Sequence, residues 1–300
     1  MDQAVFWQML VQYLITGLTI GSVYAMVAVG FNIIYNVTEI INLAQGEFVV
    51  LGGLVMVLLQ VQFGLHPLIA FCLTIMVVLG IGMLLDRLAI RTIRQPTVLT
   101  LIIATIAASM IIKGSAMYVW GKDPYDLPAF SGRTPIAFLG AIIQPQALWI
   151  FGFLILVVVL LTLFFERTIL GKAMKASADN PEAATLVGIN VNHMILLSFA
   201  LSAAIGALAG IGLTPMALME YDRGAMLGVK GFAAVILGGL GSFPGAVLGG
   251  LLLGLIESLG AGYISSGYKD AFALIALLLL LFLKPSGLLG NVAILKLKKF

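Results

Sequence analysis

The sequence predicts an all-α, polytopic bundle of transmembrane helices, with residues 1–300 forming a single membrane domain. Three observations carry this expectation. Of 300 residues, 61% are hydrophobic and only 10% charged, with mean hydropathy +1.14, whereas a soluble domain carries about 25% charged residues. Apolar runs of spanning length recur along the chain. Polar residues collect between those runs, most densely over 166–193. The net charge of +3 comes from loop lysines and arginines, and no basic patch interleaved with aromatics points to nucleic acid. The lone Cys72 excludes an internal disulfide. The first basic residue is Arg87, so no positive n-region of a cleaved leader precedes the first span.

The first span covers residues 11–31. Gly17, Gly21 and Ala25 fall four apart, so one face admits a close neighbour, and Ser22 and Tyr24 add polar groups nearby. A polar break is expected over 32–48. Asn42, Gln45 and Glu47 stand at the head of the next apolar run, and two readings remain open. They line a polar path, since polar groups at membrane depth need protein or water around them, or they cap the second span at the interface. That span covers 49–59, or starts near Asn42. A turn over 60–67 leads to a third span, 68–85. The loop behind it holds Asp86, Arg87, Arg91 and Arg94, three cations against one anion, and the positive-inside rule places it on the inner face. Pro96 precedes a fourth span, 97–120, where Lys113 is expected to snorkel outward. In the loop over 121–146, Lys122 and Arg133 balance Asp123 and Asp126, which suits the outer face.

A fifth span, 147–165, runs into the polar stretch. Residues 172–178 are good helix formers. Asn180 is a natural N-cap, Pro181 suits the first helical position, Glu182 favours the positive end of the dipole, and Gly188 supplies a stop. Two short helices are expected, on the inner face because of Arg167, Lys172 and Lys175. A sixth span covers 195–215, with Gly206 and Gly210 four apart. Glu220, Asp222 and Arg223 follow in an outer loop. The nearly apolar stretch 228–260 carries Gly238, Gly239, Gly241, Pro244 and Gly245, which no continuous helix accommodates, and Gly249 continues a small-residue face. Two segments meeting at a break are expected there, with Glu257 near the end. The last span covers 271–283, after Lys269 and Asp270. Lys296, Lys298 and Lys299 draw the tail inward, which eight unbroken spans do not allow, so the total stands between eight and ten. Residues 50–54 recur identically at 247–251, which hints at an internal repeat.

Several chemistries are missing. Gly171-Lys172 lacks the leading glycine of a phosphate-binding loop and runs into Ala173, so any ATP must be handled by another subunit. His66 and His193 have no neighbours at metal-ligand spacing, and no nucleophile–base set suggests catalysis. No cofactor is expected.

Glu182-Ala183-Ala184, with Gly188 after a three-residue gap, resembles the start of the loop by which ATP-binding-cassette importer permeases engage their ATPases. The run from Gly171 through Lys172 and Lys175 to Ala176, the Asn42-Leu43-Ala44-Gln45-Gly46-Glu47-Phe48 segment, and Leu237-Gly238-Gly239-Leu240-Gly241-Ser242-Phe243-Pro244-Gly245 resemble those of LivH-type branched-chain amino-acid permeases. Ser198 stands where many other importers carry an apolar or Leu-Pro position. The resemblance implies a multi-pass subunit of the bacterial inner membrane that translocates leucine, isoleucine and valine. It further implies a second homologous permease, two cytoplasmic ATPases and a periplasmic or lipid-anchored solute-binding protein. On this reading Gly171, Lys172, Lys175, Glu182, Ala183, Ala184 and Gly188 belong to the coupling loop. Asn42, Gln45 and Glu47, with Ser22 and Tyr24, are the candidate pore residues. Relatives for urea, amides or other small solutes share the architecture, and an ion-coupled transporter is the alternative from another class.

Overall fold

The computed structural model describes residues 3–290 except 95, 133 and 139. Among them, eight helices are long and apolar enough to cross a membrane. Arg133 and the tail lysines 296, 298 and 299 lie outside the described residues.

The first helix, α1 (Gln3–Thr38), passes straight through the expected break at 32–38. Its 36 residues span about 54 Å, well beyond the roughly 30 Å hydrocarbon core. Asn32 and Asn36 look like loop residues in the sequence, but their partners are distant. The Asn32 amide donates to the Ser242 carbonyl at 2.8 Å and its oxygen accepts from the Gly241 N–H at 2.9 Å. The break shrinks to residues 39–44. Ser202 Oγ donates to the Gly30 carbonyl and to the Gln45 side chain, so Gln45 lies level with Gly30. Gly30 is eight residues short of Thr38, so the chain doubles back about 12 Å before α2 (Gln45–Val57) begins.

A π-turn, Leu58–Gln62, extends α2. Helix α3 (Pro67–Leu85) returns, is prolonged by a second π-turn, Asp86–Ile90, and leads to α4 (Val98–Trp120). The following loop contains a feature the sequence reading lacked, a two-stranded hairpin of β1 (Ile136–Phe138) and β2 (Ala141–Ile143). Gln12 exchanges two hydrogen bonds with the backbone of Ile142, so this hairpin sits at the far end of α1 from Thr38. Helix α5 (Pro145–Arg167) runs back to α6 (Ile169–Asp179) and α7 (Pro181–Leu186), and α8 (Val191–Leu213) crosses again.

The apolar stretch after Asp222 is broken, as expected. Helix α9 (Arg223–Gly238), 16 residues, ends in a turn, and α10 (Phe243–Tyr263) starts after Ser242. Gly239 and Gly241 take φ of +108° and +87°, a region costly for any side chain. Ser242 caps Gly245 N–H at 3.1 Å, with Pro244 in the first turn of α10. A Cβ on Gly249 would strike the Ala234 carbonyl and Gly238, and one on Gly245 would strike the Gly238 backbone. Helix α11 (Lys269–Leu283) closes the bundle. After it, the Leu288 and Leu289 N–H groups bond the Leu237 and Gly238 carbonyls at 2.9 Å each, which brings this segment to the α9–α10 turn. Counting α9 as the ninth membrane element puts the described C-terminal end on the side of α6 and α7.

Small residues set the main crossing. Gly17 and Gly21 lie against the backbone of Gly254 and Gly250, so α1 and α10 pack antiparallel at backbone distance. Gly206 and Gly210 of α8 receive Phe48 and Val49 of α2 in the same way. The triplets α1–α2–α3 and α8–α9–α10 share one plan in opposite directions: a long helix, a doubling-back, a short helix, and a return that packs on the long helix of the other triplet. The identical pentapeptides do not mark this repeat. Residues 50–54 lie in α2 and 247–251 in α10, which are not equivalent elements.

Candidate functional site

One end of the bundle collects the basic loops. Arg87 and Arg91 close α3, and Arg91 pairs with the buried Asp86 at 2.7 Å and bonds the Asn192 carbonyl at the start of α8. On the same side lies the α6–α7 pair, whose local chemistry matches the sequence expectation. Thr168 caps α6 by accepting from the Gly171 N–H at 2.9 Å. Asn180 caps α7 through the Ala183 N–H at 2.9 Å, with Pro181 in its first turn beside Glu182. Gly188 stops it at φ +87°.

This pair is seated, not tethered. Gly171, Met174 and Ser177 are buried on one face of α6, and Ala184 anchors α7. A Cβ on Gly171 would collide with the Phe164 carbonyl, so only glycine lets α6 fold back onto α5. Lys175 passes over the Phe165 ring at 5.9 Å, while Lys172, Glu182 and Ala183 are exposed. The outer face carries bare apolar side chains: Ile169 is 86% exposed, Leu186 89% and Val187 76%. Behind the pair, a cavity of about 560 Å³ separates α6 from the end of α1 and the α9–α10 turn, lined by Asn36, Lys175, Asp179 and Gly241 among others.

The candidate pore residues are all buried. Gln45 is fully engaged, receiving Ser202 Oγ at 2.6 Å and donating to the Ser202 carbonyl at 3.3 Å. Ser22 donates back to the Leu18 carbonyl within α1. The Asn42 oxygen accepts from the Ala44 N–H at 3.1 Å, and Glu47 accepts from Ser109 of α4 at 2.9 Å. Lys113, expected to snorkel, lies over the Tyr221 ring at 5.6 Å. Tyr24 belongs elsewhere, in an ionic cluster deep between α1, α9, α10 and α11. Its hydroxyl donates to Glu257 at 2.9 Å, and Lys230 reaches that hydroxyl at 3.2 Å and Glu257 at 3.1 Å. Lys230 also pairs with Asp270, and Lys269 with Glu257 at 3.2 Å. The sequence reading missed Lys230. Its signal was available: a solitary lysine in an otherwise apolar stretch requires a buried anion.

The family model for the branched-chain amino acid transport system / permease component matches residues 13–283. The chain belongs to this family. Among its relatives, the high-affinity branched-chain amino acid permease protein BraD of Pseudomonas aeruginosa is 34% identical over 293 residues, covering 93% of this chain and 95% of that one. The permease protein LivH of Escherichia coli K12 is 33% identical over 295 residues, with the same coverage. A probable LivH of Methanocaldococcus jannaschii is 31% identical over 290 residues, covering 90% and 89%. This LivH-type chain is therefore a multi-pass permease component of the inner membrane, and the eight helices of spanning length and hydropathy among the described residues agree with that placement.

Proposed function

We propose that this permease is the membrane-spanning subunit of an ATP-binding-cassette importer, carrying leucine, isoleucine and valine inward. The observation that carries the mechanism is the α6–α7 pair: capped at both starts, wedged on α5 through Gly171, and exposing the apolar side chains of Ile169, Leu186 and Val187. Exposed apolar side chains beside a basic loop support a docking surface there. The basic end is the inner one by the positive-inside rule. ATP is hydrolysed by two partner ATPases docked there, a second homologous permease completes the pore, and a solute-binding protein delivers substrate from outside. Closure of the ATPases presses on α6. The contact of α6 with α5, and its place beside the α9–α10 turn, hand that displacement to the helices around the path. Asn42 and Glu47 face the path in this reading, while Gln45, Ser22 and Tyr24 hold the surrounding helices in register.

Uptake of labelled leucine into proteoliposomes holding the whole importer tests the reading. Glu182→Lys and Gly188→Trp should insert normally yet lower ATP-driven uptake roughly tenfold, the scale of a lost coupling energy of about 1.4 kcal/mol. Undiminished uptake in both variants removes the docking role.

A further inference from the structure

After the fold has made its own hydrogen bonds, two polar groups are left over at the place where α2 and α9 begin. Asn42 is 1% exposed, and its oxygen is bonded, but its amide nitrogen Nδ2 has no hydrogen-bond partner among the described residues. Glu47 is also 1% exposed; Ser109 satisfies Oε1, and Oε2 has no hydrogen-bond partner among the described residues. Gln45 between them is satisfied at both ends, so at this junction the deficit falls on Asn42 and Glu47; Gln60, Trp120 and Ser177, elsewhere in the bundle, also carry an unpartnered buried polar atom. One is a donor without an acceptor and the other an acceptor without a donor.

The helices that start here add a second, independent feature. Neither Ala44, before α2, nor Asp222, before α9, makes a side-chain cap. Of the other helices, α5 and α11 also start without one, whereas α4, α6, α7, α8 and α10 are capped by Thr, Asn or Ser side chains. In the first turn of α2 the Gln45 and Glu47 N–H groups already bond the Asn42 and Ala44 carbonyls at 3.1 Å each, which leaves the Gly46 N–H and the positive end of the helix dipole. The two starts touch: a Cβ on Gly46 would strike the Gly224 carbonyl, and a Cβ on Gly224 would strike the Glu47 carboxylate. Discontinuous helices meeting this way at membrane depth bind charged solute groups.

A zwitterionic α-amino acid carries the two complements, an ammonium that donates and a carboxylate that accepts. We propose that Asn42 and Glu47, with the uncapped first turns of α2 and α9, form a transit site for the head group of an α-amino acid. Glu47 Oε2 accepts from the α-ammonium, and Asn42 Nδ2 and the Gly46 N–H donate to the α-carboxylate. The side chain of the solute then lies outside the set of specifying contacts, so one site serves leucine, isoleucine and valine. The site is shut in this structure, and the bare glycine contact between Gly46 and Gly224 is where it opens, because no interdigitated side chains resist separation there. This inference rests on the amino-acid reading above.

The test uses the complete importer in proteoliposomes with saturating leucine-loaded binding protein. Glu47→Gln and Asn42→Ala should each lower the maximal rate of leucine uptake at least roughly thirtyfold, as for one lost partner of a buried charged contact. The concentration of loaded binding protein giving half-maximal rate should stay unchanged, because that docking lies elsewhere, and Glu47→Asp should restore part of the rate. A purely structural role predicts loss of membrane-inserted protein and no rescue of rate per molecule by Glu47→Asp. Full-rate uptake by either variant overturns the site. Should Glu47→Gln not reach the membrane, Asn42→Ser, which lies outside any helix, decides alone: unchanged uptake overturns the proposal. A wild-type importer that moves no leucine overturns the underlying reading instead, and that result is scored before any variant is made.

Discussion

At the scale of single residues, buried polar side chains separate into those that are satisfied and those that are not. Lys230 is satisfied twice over, by Glu257 and Asp270, and Tyr24 shares the cluster. Lys230→Met leaves Glu257, 1% exposed, with the Tyr24 hydroxyl and, as its remaining cation among the described residues, the half-exposed Lys269. A loss of about 3 kcal/mol is expected, the lower end for a broken buried pair. The double variant Lys230→Met/Glu257→Gln should recover much of it, as read by thermal unfolding of the detergent-solubilised protein. A double variant no better than the single one would mean that the pair is not the source. This cluster was hidden in the sequence because its members lie at 24, 230, 257, 269 and 270, and nothing local joins them. The caps at Thr168 and Asn180 are different. Each acts on a backbone N–H three residues ahead, which is why Asn180 could be read without any fold.

Elements divide along the same line. The expected third, fourth, fifth and sixth spans match α3, α4, α5 and α8 within a few residues, because length and hydropathy alone decide a crossing. Helix α1 was cut short at Phe31 because Asn32 and Asn36 resemble a loop. Their carbonyl and amide partners sit in the 239–242 turn, which hydropathy cannot show. The β1–β2 hairpin was invisible for a related reason: its apolar residues bear no alternation, and its anchor is Gln12. Two predictions belong to this scale. Asn180→Ala should destabilise α7 by about 0.5–2 kcal/mol, seen as faster amide exchange over residues 181–186 with α8 unchanged. Gly171→Leu cannot be accommodated against the Phe164 carbonyl. It should lift α6 from α5 and abolish ATP-driven uptake with membrane insertion intact; retained uptake would show that α6 transmits nothing.

For the whole molecule, the opposed triplets α1–α2–α3 and α8–α9–α10 explain why the crossing number resisted the sequence. Two short helices start part-way through the bundle, at the Gly46–Gly224 contact, so a hydropathy count treats α9 as part of a longer run. Including α9 puts the described C-terminal segment at the same end as α6 and α7, as the leucine N–H bonds to the α9–α10 turn require. We propose that this end faces inward and takes force from a partner ATPase. Cross-linking in inside-out vesicles holding the complete importer tests it most directly, using Leu186→Cys in a Cys72→Ser background. The account predicts an ATPase-subunit adduct at position 186 that changes in yield when ATP is added. Labelling of that cysteine from the outer face, or no adduct in an importer that is assembled and active, would contradict it.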